Sequence, residues 1–276
     1  MTDSSFPEVR NFNGTQEEFV PRDNFVAPLT DLGLIAFSGE DAAHFLHNQL
    51  TNDIQHLSVR QARRAGYCTA KGRLLATFLI WKSGDTLVLQ LPRPILTTIQ
   101  RRLQMFVLRA KAKSDDVTDS HVILGIASTA AAAFLSRWFP VLPAEPYAKV
   151  DSTAGVLLRV DDALGAPRYQ WITTQAVAEN AWPALTAVLR PVGSNAWRLG
   201  DIYAGIPQIT QATQERFIPQ MVNFELVGGV SFKKGCYPGQ EIVARSHYLG
   251  KLKRRMKLAL VETQDATPGM EVFSVT

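Results

Sequence analysis

The stretch "SFKKGCYPGQEIVAR", residues 231–245, places a cysteine behind two lysines and ahead of a Pro-Gly turn. Tyr237-Pro238-Gly239 is a turn signature, because proline presets one backbone angle and glycine accepts a positive φ at the next position. The residues beyond it, "QEIVARSHYLG", have the pattern of two helical turns that stop at Gly250. Cys236 is therefore expected just ahead of a helix N-terminus, where free amides and the helix dipole favour an anion. Lys233, Lys234 and Arg245 add positive potential, which favours the thiolate form that attacks electrophiles or binds metal. The plainer alternative is that a turn cysteine is a small filler and a Lys-Lys pair is solvated surface.

The rest of the chain fixes the setting. It has 276 residues, 46% apolar and 20% charged, which is ordinary for a globular protein long enough to bury a sizeable core. The formal charge of +4 permits an anionic ligand or RNA without requiring one. The two cysteines, Cys68 and Cys236, form no CxxC pattern and suit a reducing compartment. Cys68 lies in "AGYCTA", where a thiol reads as a small buried hydrophobe. The N-terminus lacks the pattern of a secretory signal, and "VILGIASTAAAAFL" (122–135) is too short to span a bilayer, so a soluble cytoplasmic protein with no membrane partner is expected.

Periodicity predicts an irregular arm over 1–24, a strand at 32–39 and a helix at 40–50. Hairpin strands follow over 63–91 with turns at Lys71-Gly72 and Ser83-Gly84-Asp85, then a helix opened by Pro94. Further on come strands at 121–128, 154–162 and 168–174 and helices at 129–139 and 175–190, the last restarted or kinked by Pro183. Strand and helix runs mixed with hairpins favour an α+β fold. "MKLALVE" (256–262) and the residues after it read as strands that run off the end, the start of a final β domain expected to be incomplete.

The segment "KKGCYPGQEIVAR" closely resembles the signature of the YgfZ family of folate-binding proteins, relatives of the glycine cleavage aminomethyltransferase (T-protein). "FLHNQLTNDI" (45–54), "AKGRLLATFLIW" (70–81), "AGIP" (204–207) and "FIPQMVNFELVGGVSFKKGCYPGQE" (217–241) occur in the family's order, and the resemblance covers most of 29–255. It implies a T-protein-like folate-binding module over 25–250, with a ferredoxin-like unit near 110–190 and a C-terminal β-barrel beginning over 251–276. The implied cofactor is tetrahydrofolate or a one-carbon derivative, with no permanently bound metal. The implied role is support of iron–sulfur cluster assembly or repair, acting on tRNA modification through a cluster-containing methylthiotransferase. The implied partners are cluster-assembly proteins or client enzymes.

Residue by residue, the family's motif cysteine maps onto Cys236. Its neighbours map onto Lys234, Gly235, Tyr237, Gly239, Gln240 and Glu241, and a folate-contacting tryptophan maps onto Trp197. Three positions depart from the pattern. Ala76 and Thr77 stand where the glycine-cleavage enzymes carry a catalytic acidic pair, and neither can act as a general base. Tyr203 stands where those enzymes place a glutamate against the pterin; Asp201 is near it in sequence. Leu32 replaces a second tryptophan.

Other residues keep two readings. Trp197 either stacks on a pterin or fills the core. Asn52 and Asp53 either cap a turn or reach into the central opening. The basic clusters Arg60/Arg63/Arg64/Lys71/Arg73 and Lys251/Lys253/Arg254/Arg255/Lys257 suit folate glutamate tails, tRNA phosphates or plain surface. His44 and His47 share a helical turn, but no third ligand is evident for a zinc site. The alternatives to the accessory role are a folate-dependent aminomethyl or methyl transferase on another acceptor, and a tRNA-binding module.

Overall fold

The computed structural model describes residues 24–250, 254–260, 265, 267 and 269–271. The expected arm over 1–23 and most of the expected C-terminal strands lie outside these residues. Residues 256–260 of "MKLALVE" are described and pair with no other described strand.

The strands are β1 (Phe25–Pro28), β2 (Leu32–Ser38), β3 (Ala62–Cys68), β4 (Leu74–Ser83), β5 (Thr86–Pro92), β6 (Lys113–Asp116), β7 (Val122–Ala127), β8 (Lys149–Ser152), β9 (Gly155–Ala163), β10 (Ala166–Thr173) and β11 (Arg190–Pro191). The helices are α1 (Ala42–Gln49), α2 (Arg93–Gln104), α3 (Ala131–Leu135), α4 (Gln175–Thr186), α5 (Ser194–Tyr203) and α6 (Gln240–Tyr248). Pro183 falls inside α4 rather than starting a new helix.

Two sheets carry the fold. One has the order β3-β4-β5-β2-β6, and the other β11-β1-β7-β10-β9-β8. In the second, β7, β9, β10 and β11 with α3 and α4 follow the ferredoxin-like order, and β1 is inserted between β7 and β11. β1 pairs antiparallel with β7 and parallel with β11.

Alternation along the strands explains the layering. In β2, Ile35 and Phe37 pack with Phe45 and Leu46 of α1 and Ile95, Ile99 and Leu103 of α2. The opposite face, Leu32 and Leu34 with Leu79 and Trp81 of β4, meets Leu158, Val160 and Ile172 of the other sheet. The far face of that second sheet packs Leu157 and Trp171 against Leu135 of α3 and Leu185 of α4. The result is a four-layer helix–sheet–sheet–helix stack. Strands buried on both faces become nearly continuous apolar runs, as "LLATFLIW" shows.

A smaller cluster of Cys68, Leu74, Ile209, Val222 and Phe224 holds the long segment 204–235 against the β3–β4 hairpin. This cluster brings the cysteine loop to the edge of the stack.

Candidate functional site

The cysteine loop is pinned from three sides. Thr51, just past α1, donates its hydroxyl to Gly229 O at 2.6 Å, accepts from Gly66 N at 2.7 Å, and its carbonyl accepts from Ser231 N at 2.9 Å. Buried Asn52 donates to Arg64 O and Gly228 O, both at 2.7 Å, and its side-chain oxygen accepts from Asp53 N at 2.8 Å. At the far end, Gly239 adopts φ +80 as the residue before α6 and packs on the hairpin tip at Thr69 and Gly72. A Cβ at Gly239 would meet the Gly72 nitrogen at 2.5 Å, so only glycine fits this approach.

Between these anchors, Lys234 turns inward. Its ammonium donates to His47 O and, at 2.8 Å, to Leu50 O, the open carbonyls at the C-terminal end of α1. It also stands 4.8 Å from the centre of the buried Tyr237 ring. Burial lowers its pKa to about 8, against the pull of Asp53 and Cys236. Cys236 itself is exposed, whereas Cys68 is buried and its thiol is pushed up to about 12 by that burial.

Beside the loop, Asp53 receives two histidines. His47 Nδ1 lies 3.0 Å from Asp53 Oδ1, and His56 Nδ1 2.9 Å from Asp53 Oδ2. Burial would raise the Asp53 carboxyl, but the side-chain and backbone hydrogen bonds from His56 outweigh it and hold it low. Burial, helped by Lys234, lowers the His47 imidazole in spite of Asp53. Gln240 and Glu241 open α6, and Glu241 and Arg245 are exposed on it. Phe232 stacks on His247 at 3.8 Å behind the loop.

The second feature is a pair of adjoining hollows. A small one of about 40 Å³ lies between the sheets, walled by Leu32, Arg64, Thr77, Gln90, Gln170 and Asp201, among others. A large one of about 1300 Å³ has Tyr203, Phe217, Met221 and Arg254 in its wall. The two share Asp201, Ile206, Pro207 and Gln208. Gln90 and Gln170 are both buried, and among the described residues their side-chain carbonyl oxygens have no hydrogen-bond partner. Such atoms are costly unless a ligand or water answers them. Asp201 accepts from Arg168 at 2.9 Å, and burial raises its carboxyl against the pull of Arg168 and Arg64. Arg64 binds Tyr147 at 2.7 Å and Asp161 at 3.1 Å.

The sequence-predicted residues therefore separate into groups. Cys236, Lys234, Gly235, Tyr237, Gly239, Asn52 and Asp53 gather at the loop. Asp201 and Tyr203 stand at the hollows, and neither hollow has Cys236 in its wall. Trp197 is buried in the core between the sheets and α5. Its ring leaves no room for a Cβ on Gly125, it stacks under Arg168 at 4.6 Å, and it lines neither hollow. Ala76 is sealed in the core, while Thr77 donates to Pro207 O at 3.3 Å and accepts from Ile209 N at 3.2 Å. Sequence reading missed Gln90, Gln170 and His56 as site residues and weighed His47 only as a zinc ligand. Two glutamines in the apolar strands "TLVLQLP" and "APRYQWIT" were the available signal.

Much of the basic surface is occupied structurally. Arg63 donates to Asp53 O, Arg73 to Arg216 O, and Arg255 pairs with Glu225. Among the described residues no group of three or more His, Cys, Asp or Glu side chains is placed to hold a metal ion, and no helix is long and apolar enough to cross a membrane.

The stacked sheets and their flanking hollows define a protein of the aminomethyltransferase T-protein fold. The glycine cleavage system aminomethyltransferase T from Bartonella henselae superposes with a TM-score of 0.70 over 88% of this chain and 66% of that one, at 15% identity. At the level of sequence the chain belongs to the YgfZ family. It is 36% identical over 230 residues to the tRNA-modifying protein YgfZ of Photorhabdus laumondii, covering 83% of this chain and 68% of that protein. The YgfZ protein of Escherichia coli strain SE11 is 32% identical over 234 residues, covering 83% and 70%. No protein-family model matches the chain.

Proposed function

We propose that this chain binds a reduced folate across the two adjoining hollows and acts, through Cys236, as an accessory protein in tRNA modification. One observation carries the folate reading: two buried glutamine carbonyls without partners among the described residues stand in the same wall as Asp201 and Arg64. A pterin edge offers amino and ring N–H donors to such acceptors and a carbonyl to such a guanidinium. The polar complement fits; the ring needs the joined space, since about 40 Å³ alone suits little more than water. Folate bound there would supply a one-carbon unit. Gln90, Gln170 and Asp201 would orient the pterin, and Arg254 and Lys257 at the outer wall would face its anionic tail.

The tRNA-modification part rests on the name its relatives carry. The finer reading is support of iron–sulfur cluster assembly or repair for a cluster-containing client enzyme, in keeping with an exposed thiol beside a lysine. Aminomethyl or methyl transfer is less well supported, because Ala76 and Thr77 provide no base. Direct tRNA binding is weakened by the number of arginines already bonded within the protein.

Calorimetric titration of tetrahydrofolate into the purified chain tests the cofactor reading. Saturable binding that weakens at least tenfold in Gln170→Leu is expected; absence of binding to the wild-type chain overturns it. For the client reading, a strain lacking its own homologue is complemented with wild type or Cys236→Ala, and thiomethylated tRNA is measured. Full complementation by the alanine variant removes the thiol from the function.

A further inference from the structure

The two histidines on Asp53 lead to a second property of the cysteine loop, one that rests on the reading of Cys236 as a working thiol. His47 Nδ1 lies 3.0 Å from Asp53 Oδ1 and 3.5 Å from Gln55 N; the shorter contact, to a carboxylate, favours the proton on Nδ1 and leaves Nε2 as the other polar end of the ring. No described residue bonds Nε2. That nitrogen lies 3.7 Å from the point a Cβ would occupy on Gly235, the residue directly before Cys236. Lys234, on the other side of Gly235, grips the carbonyls of His47 and Leu50. Residues 234 and 235 are thus laid along the last turn of α1, directly before Cys236 in the chain.

We propose that His47, oriented by Asp53, is the proton acceptor for Cys236, so that thiol, imidazole and carboxylate act as one unit. The step is a single proton transfer: the S–H bond breaks, the proton moves to Nε2, and the electron pair stays on sulfur. Asp53 holds the tautomer that exposes Nε2 as acceptor and stabilises the imidazolium that forms, the general logic of a nucleophile, a base and an orienting group. Cys236 is exposed and makes no hydrogen bond to a described residue, so its thiol is free to turn about χ1 among the staggered positions. Such contacts are commonly long until substrate is present. The charged groups facing the pair are Lys234 from the loop, Asp53 and His56 from the segment after α1, and Arg63 of β3, which donates to Asp53 O. Asp53 is a positioning residue here, and solvent-exposed His56 bonds its outer oxygen.

The rate of Cys236 alkylation by iodoacetamide, followed by mass spectrometry of the whole chain from pH 5.5 to 10, reads this directly. In His47→Gln the profile moves up by about one pH unit, a loss of about tenfold in rate at pH 7. Asp53→Asn moves it the same way by a smaller step. Each variant is checked by circular dichroism and thermal unfolding. A His47→Gln profile that overlays the wild type overturns the inference; if that variant does not fold, an unshifted Asp53→Asn profile does so. The readout does not depend on folate or on any client, so the inference can fail while the functional reading stands, and the reverse.

Discussion

Lys234 donates to Leu50 O at 2.8 Å, across a sequence separation of 184 residues, and so ties the cysteine loop to the end of α1. The contact spends a buried ammonium on helix carbonyls, and this gives it a pH signature.

With a pKa near 8 when folded against 10.5 as the ordinary value, Lys234 is charged in both states below about pH 8. The burial cost is then fully present. Between about 8 and 10.5 the folded state sheds its proton first, so stability rises with pH over that window through this group. Urea unfolding from pH 7 to 10 is expected to show the wild-type curve rising relative to Lys234→Met. Parallel curves would mean that the amine is not desolvated.

Gly239→Ala would strain a left-handed residue and press a methyl group onto the backbone of Thr69 and Gly72. Neither neighbour is a flexible side chain that could give way. A destabilisation of about 1–3 kcal/mol is expected from denaturant unfolding. Faster proteolysis within 228–240 should accompany it, since the loop loses its seat on the hairpin.

Asn52→Ala removes three buried hydrogen bonds and strands the carbonyls of Arg64 and Gly228. The expected cost is about 2–4 kcal/mol, the upper part arising from the unanswered carbonyls. Chemical denaturation measures it, and a cost within 0.5 kcal/mol of zero, roughly the range of an ordinary surface substitution, would deny Asn52 its clamping role.

The two thiols should differ sharply. A colorimetric thiol assay on the native chain is expected to count one group, Cys236, and on the denatured chain two. Burial both hides Cys68 and keeps it protonated, with its pKa up to about 12. Prompt reaction of two thiols in the native state would contradict the packing of β3.

Much of the fold was legible because local rules and burial agreed. The tight turns at Gly72 and Gly84, both with positive φ, fixed the β3–β4–β5 meander from sequence. Strands such as β6, "KSDD", and β8, "KVDS", were not legible, because they are polar edge strands held by one neighbour. At the site, Cys236 was visible from its turn and its lysines. The unpartnered Gln90 and Gln170 were not, since only pairing the two sheets shows that their amides face a hollow. Trp197 shows the converse: its place in the core is decided by Gly125 on a strand 72 positions earlier.

The insertion of β1 between β7 and β11 has a consequence for biosynthesis. Phe25 and Val26 find one neighbour only at 126–127 and the other only at 190–191. At translation speeds of roughly 5–20 residues per second, that first strand waits on the order of ten seconds before both its flanks exist. During that interval its apolar residues and open edge are available to a ribosome-associated chaperone, and final closure of the second sheet is necessarily a late event in the life of the nascent polypeptide.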